Sequence, residues 1–342
     1  MRVLVTGGAG YIGSVVTAEL VHAGHQVTVY DSLVRGHREA VHPRAAFVRG
    51  DTGDRATLAH TLSEDRFDAV MHFAAFIEAG ESMQKPELYF ENNTANALSL
   101  LTTMLEHSVN RFVFSSTAAV YGDPEYTPID EDHPLNPVNA YGASKLMVER
   151  MLAWFNQIHG LGYAALRYFN AAGAAPPLGE DHQPETHLIP IILEVAQEQR
   201  DHLELYGTDY PTPDGTCIRD YIHVADLASA HVLALEALQP REQRIYNLGN
   251  GRGFSNREVL ETARRVTGRP IPAVEAPRRP GDPAVLIASS DRVQQELGWS
   301  PRYPDLEDII GSAWAWRKRH PAGYSRKVWA RTQNQQQPRK EI

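Results

Sequence analysis

Over the first 170 residues, short apolar runs alternate with longer stretches in which apolar positions recur at helical spacing. The runs at 2–6, 26–30, 46–48, 69–74, 111–115 and 163–169 are rich in Val, Phe, Leu, Ala and Tyr. Segments of that length and composition, separated by amphipathic stretches, predict strand-helix units that close a doubly wound parallel sheet. Between the first two runs, Ile12, Val16, Leu20 and Ala23 share one helical face and Gly24 offers a stop, which predicts a helix over 12–23. A further helix is predicted over 92–107. Beyond residue 171 the prolines Pro176, Pro177, Pro184, Pro211 and Pro213 break the pattern into loops, so a second, smaller α/β lobe begins there. Helical spacing returns at 226–238 and 256–266 and a strand pattern at 244–248, so the chain is expected to rejoin the first unit. The expected division is 1–170 with about 220–255 returning to it, 171–320 for the second lobe, and a flexible tail at 321–342 whose Gln-rich end is low in complexity.

Composition narrows the function classes. The 342 residues are enough for two units with a substantial core, and 42% hydrophobic with 22% charged residues fits a soluble globular chain. Lys and Arg total 33 against 42 Asp and Glu, a net charge of -9 that repels nucleic acid and anionic membrane, and neither is expected as a partner. The lone Cys217 forms no intrachain disulfide, which fits a reducing compartment and predicts a cytoplasmic protein. The start shows no export signal and no apolar run has membrane-spanning length, so no anchor is expected.

Gly7, Gly10 and Gly13 follow the first strand directly and open the first helix. A tight turn, close approach to a pyrophosphate and close helix–strand packing each call for glycine there, and the helix N-terminus offers free N–H groups and a positive dipole end. A glycine triplet alone is also an ordinary strand–helix turn, but the strand before it, the helix after it and Asp31 at the end of the second strand point to dinucleotide binding. The Asp31 carboxylate would accept from ribose hydroxyls and repel a 2′-phosphate, favouring NAD; the nearby Arg35 keeps an NADP reading open. Asp51 has two readings, one at the adenine amino group and one as the start of a turn.

Tyr141 and Lys145 stand one helical turn apart, an arrangement equally common on solvated helix faces. What singles them out is the fifth strand, which ends in Ser115-Ser116-Thr117, where catalytic hydroxyls belong in an open α/β sheet. A tyrosine acting as a base near neutral pH must lose about three pKa units, roughly 4 kcal/mol of phenolate stabilisation, which Lys145 and a positive nicotinamide ring would supply. Thr117 would position the substrate oxygen, and the reaction class is oxidation of an alcohol to a ketone by NAD. His22 and His25 flank Gly24 without accompanying carboxylates or thiols, so no metal is expected and they are read as helix-end caps.

The motifs TGGAGYIGS at 6–14, HFAA at 72–75, GES at 80–82, SSTAAVYG at 115–122, YGASK at 141–145, RYFN at 167–170, RDYIHV at 219–224 and YNLG at 246–249 cover about residues 1–320. Together they resemble the extended short-chain dehydrogenase/reductases and, within them, the UDP-glucose 4-epimerase family. The resemblance implies a Rossmann-like NAD domain and a sugar-nucleotide lobe. It also implies reversible C4 epimerisation of a UDP-hexose by transient oxidation to a 4-keto sugar, rotation and hydride return. Onto this sequence it carries Thr117, Tyr141 and Lys145 as catalytic residues, and Gly7, Gly10, Tyr11, Ile12, Gly13, Asp31, Asp51 and Asn92, with Tyr141 and Lys145, as cofactor residues. For the substrate it implies Arg219 and Arg279 as a diphosphate clamp with Asn170, Asp282 at the uridine ribose, and His187, Leu188 and Tyr206 around the uracil. Without the resemblance each arginine reads equally as a surface ion pair, and Asn92 as a helix cap. A homodimer through the helices after Asn92 and around Tyr141 is also implied.

The chain departs from the family pattern at three places. Ile77 stands where some members have a lysine near the nicotinamide, and His187 where an asparagine often holds the uracil. Leu286 stands where a tyrosine narrows some sugar pockets, so UDP-GlcNAc and UDP-GalNAc, or UDP-pentoses, are alternative substrates. A 4,6-dehydratase needs an acid and a base after the Ser/Thr, where this chain has Ala118 and Ala119. A catalytically silent NAD-sensing protein is the rival of another class, and it has no use for the intact Thr117, Tyr141 and Lys145.

Overall fold

The strand β1 (Arg2–Thr6) is apolar and buried from Val3 onward because helices cover both faces of the sheet in whose interior it lies. β1 pairs in parallel with β2 (Gln26–Asp31) on one side and β4 (Ala69–His72) on the other; β3 (Ala46–Arg49), β5 (Arg111–Thr117) and β6 (Gly162–Tyr168) extend the sheet outward. The computed structural model describes residues 1–279 and 281–324. Two further strands, β7 (Asn170–Ala172) and β8 (Leu203–Tyr206), precede β9 (Ile218–His223), and then β10 (Gln243–Leu248) returns to pair with β6. The large sheet thus has seven parallel strands in the order β10-β6-β5-β4-β1-β2-β3. The order reverses between β1 and β4, and in an open α/β sheet ligands bind in the crevice at the carboxyl ends of the strands at such a reversal.

One face carries α1 (Tyr11–His22), with Val15, Val16 and Leu20 packed in the same core as residues of a later helix, among them Leu227, Ala228 and Ala234. The other carries α2 (Arg55–Glu64), whose Leu58 and Leu62 share a second core with residues of two longer helices, Leu100, Leu101, Val148 and Leu152. Two short turns, α3 (Ala79–Ser82) and α4 (Pro86–Tyr89), lead through a π turn at Phe90–Ala95 into α5 (Asn96–Glu106). The long α6 (Ala140–His159) starts on Asn139, whose side chain accepts from the Gly142 N–H at 2.8 Å, and ends on Gly160 in the left-handed region.

The second lobe is built on β9, which pairs with β7, β11 (Gly253–Ser255) and β13 (Val285–Leu286), while β8 pairs with β12 (Ala273–Ala276). Its core gathers Ile189, Ile192 and Leu193 of α7 (Leu188–Ala196), Val259 and Leu260 of α9 (Asn256–Thr267), and Ile309 and Ile310 of α11 (Leu306–Arg319). The helices α8 (Val224–Ala237) and α10 (Asp291–Leu297) lie against the large sheet's side of the chain, α8 packing on α1. No helix among the described residues is long and apolar enough to cross a membrane.

The expected helix over 92–107 begins instead inside the π turn, so Asn92 caps nothing. The fourth strand stops at His72, two residues short of its expected end, and the residues after it line the crevice. Residues 321–324 are not a loose tail: Tyr324 is buried, its hydroxyl accepting from the Gly179 N–H at 3.1 Å and its own N–H donating to Asp181 at 2.8 Å. The rest of the expected tail lies outside the described residues.

Candidate active site

The crevice at the reversal point is shaped by backbone before any side chain enters. Gly7 has φ +74°, and a Cβ there would lie 2.4 Å from the Ala74 nitrogen; at Gly13 it would lie 2.3 Å from the Gly7 carbonyl oxygen. Gly7 is needed for its conformation and Gly13 for closeness, whereas at Gly10 the nearest atom would be 3.3 Å away. Gly10 caps α1 in an extended conformation with no side-chain hydrogen bond, which leaves the first-turn N–H groups of Tyr11, Ile12 and Gly13 for a ligand. Asp31 is buried, its two oxygens accepting from the N–H groups of Ala9 at 2.9 Å and Leu33 at 2.8 Å. Burial raises its carboxyl above the usual range, and those backbone bonds pull against the rise.

All ten residues assigned to the cofactor from the sequence line this one cavity: the glycines, Tyr11, Ile12, Asp31, Asp51, Asn92, Tyr141 and Lys145. Asp51 starts a turn, its side chain accepting from the Gly53 N–H at 2.8 Å, and it also lines the cavity. Asn92 lies in the wall with its amide donating to Asn93 at 2.9 Å. Tyr11 donates its hydroxyl proton to the Gly173 carbonyl at 2.7 Å, tying the two lobes together. Arg35 is engaged: it donates to the Gln183 carbonyl, lies 3.9 Å from the Glu78 carboxylate and sits over the Phe76 ring. A cation so occupied is a poor receptor for a 2′-phosphate.

At the inner end of the cavity, α6 brings Tyr141 and Lys145 up to the end of β5. Lys145 is buried and donates to the Ser115 carbonyl at 2.9 Å; its Nζ lies 4.9 Å from the Phe114 ring centre. Burial pulls its ammonium down to about 7, opposed by the charge of Glu149. Burial pushes the Tyr141 phenol up to about 12; a hydrogen bond with Thr117 works the other way and the Glu78 charge adds to the rise. The protein's own groups therefore enlarge the phenolate-stabilising task rather than finish it. The Thr117 hydroxyl accepts from the Ala119 N–H at 3.1 Å, and Ser115 and Tyr168 share a hydroxyl contact of 2.5 Å beside them.

Behind the site, Glu149 and Arg167 form a buried ion pair at 2.6 Å that also holds Ser116 and Tyr121. Removing either partner would strand the other's charge at a cost of about 3–5 kcal/mol. Sequence reading assigned them no role, since neither stands in a local pattern that points to the other.

The residues assigned to the sugar nucleotide lie on the second lobe, outside the lining of the cofactor cavity. Arg219 is buried on β9 and donates to Asp282, to the Pro283 carbonyl at 2.7 Å and to the Ile218 carbonyl at 2.7 Å. Two residues expected to touch different parts of the nucleotide are thus partners of each other. The exposed Arg279 places its guanidinium 4.0 Å from the Tyr206 ring centre. Asn170 opens β7 beside Tyr221, Leu188 opens α7, and Leu286 pairs with Arg219 in register and packs in the small core of Val120, Leu146 and Phe169.

His187 is held by two carboxylates, Glu185 at 2.9 Å and Glu180 at 3.2 Å, with His182 at 3.1 Å from Glu180. Although burial works against its charge, those carboxylates raise its imidazolium well above the usual range. The spacing of two Glu-x-His pairs was the signal for this cluster, and it lay unread beside the weaker pair His22 and His25. Of that pair, His25 bonds the N-terminal amine at 3.2 Å and Glu236 at 3.0 Å rather than capping a helix. Ile77 lines the cofactor cavity, so an apolar group stands at that wall.

Residues 3–249 match the NAD dependent epimerase/dehydratase family. The UDP-glucose 4-epimerase of Streptococcus mutans serotype c is 53% identical over 329 residues, covering 95% of this chain and 99% of that protein. A crystal structure of a UDP-glucose 4-epimerase superposes with a TM-score of 0.92 at 48% identity, covering 95% of this chain and 100% of the other. That of the UDP-glucose 4-epimerase from Bifidobacterium longum in complex with NAD+ and UDP superposes with a TM-score of 0.90 at 37% identity, again covering 95% and 100%.

Proposed function

The chain belongs to the NAD dependent epimerase/dehydratase family, and from that premise we propose how its residues divide the work of a UDP-hexose 4-epimerase. The reaction is reversible, NAD-dependent epimerisation at C4, interconverting UDP-galactose and UDP-glucose. The C4 proton of a hexose has no neighbouring carbonyl to acidify it, so inversion has to go through a ketone. NAD, when bound, accepts the C4 hydride and gives it back.

The glycine cradle fits that cofactor. Its backbone leaves no room for a Cβ at residues 7 and 13, its free N–H groups suit a pyrophosphate, and the fixed Asp31 carboxylate suits ribose hydroxyls. Tyr141 takes the proton of the C4 hydroxyl and returns it after the sugar has turned over. Thr117 hydrogen-bonds at the same place and orients the reacting oxygen, and Lys145, one helical turn on, supplies cationic charge to the phenolate. Arg219 and Arg279 hold the diphosphate with Asn170, Asp282 the ribose, and His187, Leu188 and Tyr206 the uracil, so the nucleotide is gripped while the hexose is free to rotate. The observation that carries this reading is the convergence of the glycine cradle, Asp31, Tyr141 and Lys145 on one cavity.

Leu286 is intermediate in bulk and packs near Phe169, which supports UDP-GlcNAc and UDP-GalNAc as additional substrates. Leu286→Tyr should lower the rate on the acetylated sugars relative to UDP-galactose, and an unchanged ratio would remove that reading. A homodimer through α5 and α6 is supported by Leu98, Met147, Trp154 and Ile158, all exposed apolar side chains on those two helices. Trp154→Glu should then sediment as a monomer. The buried, unpaired Cys217 supports action in a reducing, cytoplasmic setting.

The experiment for the whole reading is chromatography of the purified protein with UDP-galactose and no added cofactor. Conversion to UDP-glucose supports epimerisation on a retained NAD. If no UDP-glucose forms with or without added NAD, this substrate assignment fails.

A further inference from the structure

Between β7 and α7 the chain holds a cluster of four ligand-bearing side chains, of which the proposed epimerase reading uses only His187, at the uracil. Glu180, His182, Glu185 and His187 each offer one ligand atom, and these atoms all lie within 4.8 Å of one another. The Nδ1 of His182 is 3.1 Å from Glu180 Oε1, and the Nδ1 of His187 is 3.2 Å from that same oxygen and 2.9 Å from Glu185 Oε1.

Two carboxylates are buried here, with side chains only 8% and 3% exposed. Glu185 Oε1 also accepts from the Thr186 and His187 N–H groups at 2.8 Å each, and its Oε2 forms a long ion pair with the Arg317 guanidinium at 3.9 Å. That oxygen is buried and has no hydrogen-bond partner. Carboxylates sequestered in this way need positive charge at their centre. Protons on the imidazoles and the Arg317 guanidinium provide some, and a cation among the four ligand atoms would add to it.

The segment's backbone is fixed by contacts outside the cluster. The Asp181 carbonyl lies 3.0 Å from His37 Nε2 while its side chain accepts from the Tyr324 N–H at 2.8 Å, and the Gln183 carbonyl accepts from Arg35. The four donors are therefore presented together by a loop that is already anchored on both lobes, which lowers the cost of ordering them around an ion.

We propose that Glu180, His182, Glu185 and His187 bind one divalent transition cation of the zinc class as a closed structural site. Two imidazole nitrogens and two carboxylate oxygens form a donor set suited to tetrahedral zinc. With metal–ligand bonds of about 2.0–2.2 Å, a tetrahedron separates its ligand atoms by roughly 3.3–3.6 Å, so the three imidazole–carboxylate contacts would open by a few tenths of an ångström while the other pairs, all within 4.8 Å, settle around the ion. Binding forms two nitrogen–metal and two oxygen–metal bonds, the protons held between imidazole and carboxylate pass to solvent, and nothing is oxidised or reduced. His182 also lines the dinucleotide cavity and meets the Tyr11 ring edge-on, so the ion would clamp the cavity wall to the start of α7.

The test uses the full chain with its retained cofactor, stripped with EDTA, desalted and titrated with zinc chloride. The expected result is one zinc per chain by mass-spectrometric metal analysis, weakened at least tenfold in both His182→Gln and Glu185→Gln, with circular dichroism confirming that each variant is folded. X-ray absorption at the zinc edge of the unaltered protein should show a nitrogen/oxygen shell at about 2.0–2.1 Å with imidazole scattering. A protein that retains no zinc, a sulfur shell, or zinc affinity unchanged in both folded variants would overturn the proposal.

Discussion

The two halves of the active region are prepared in opposite ways. On the cofactor side the binding surface is backbone: glycines packed against carbonyls, free N–H groups at the start of α1, and an aspartate held by two main-chain donors. On the side proposed for the nucleotide it is side chains paired with one another, Arg219 with Asp282 and Arg279 over Tyr206. Backbone in a close-packed cradle has nothing to rearrange, so it suits a group that stays through every turnover. Side-chain pairs can be exchanged for a ligand's phosphate and ribose, so they suit one that comes and goes.

The most severe way to probe this division is Tyr141→Phe, which keeps the ring and removes the proton carrier. Turnover should fall by about 10³-fold, within the usual span for a lost general base, while NAD per chain stays at the wild-type level in extracts analysed by chromatography. Next in size, Lys145→Met removes the cation that stands one helical turn from Tyr141 and lines the same cavity. Burial already pushes Tyr141 up, so without that charge the phenolate forms only at still higher pH. The acidic limb of kcat/KM should move to higher pH by at least about one unit, the group being active only when deprotonated, and neutral activity should drop about 10²-fold. A profile that keeps its acidic limb would show that Lys145 does not tune the base.

Smaller effects separate the two halves directly. Gly7→Ala forces a side chain into a left-handed conformation against the Ala74 backbone. It should cost more than about 1 kcal/mol in urea unfolding and release NAD during purification. Asp282→Asn removes only one member of an exchangeable pair. KM for UDP-galactose should rise about tenfold with NAD content unchanged, as expected for the loss of one charged hydrogen bond. If Asp282→Asn instead sheds NAD, the two halves are not independent.

The cofactor half was legible in the sequence because its demands are local. A turn with positive φ and a helix pressed on a strand leave glycine at Gly7 and Gly13, and the strand pattern locates Asp31 without reference to distant residues. The nucleotide half was reached only through family resemblance, since nothing near Arg219 in the chain announces Asp282 as its partner. The same holds for Glu149 and Arg167, whose pairing exists only once α6 lies on β6. The π turn at Phe90–Ala95 escaped because an asparagine ahead of an apolar helix carries the ordinary mark of an N-cap, which made Asn92 look like a helix start. Tyr324 looked like the edge of a loose tail because its partners, Gly179 and Asp181, come from the other side of the lobe.

The central claim, that a permanently held cofactor stores the C4 hydride while the sugar turns, is tested most directly with UDP-galactose carrying deuterium at C4, incubated in ordinary water without added cofactor. Mass spectrometry should find the deuterium retained at C4 of the UDP-glucose formed. Washout of the label into solvent would contradict the account and point to proton abstraction in place of hydride return.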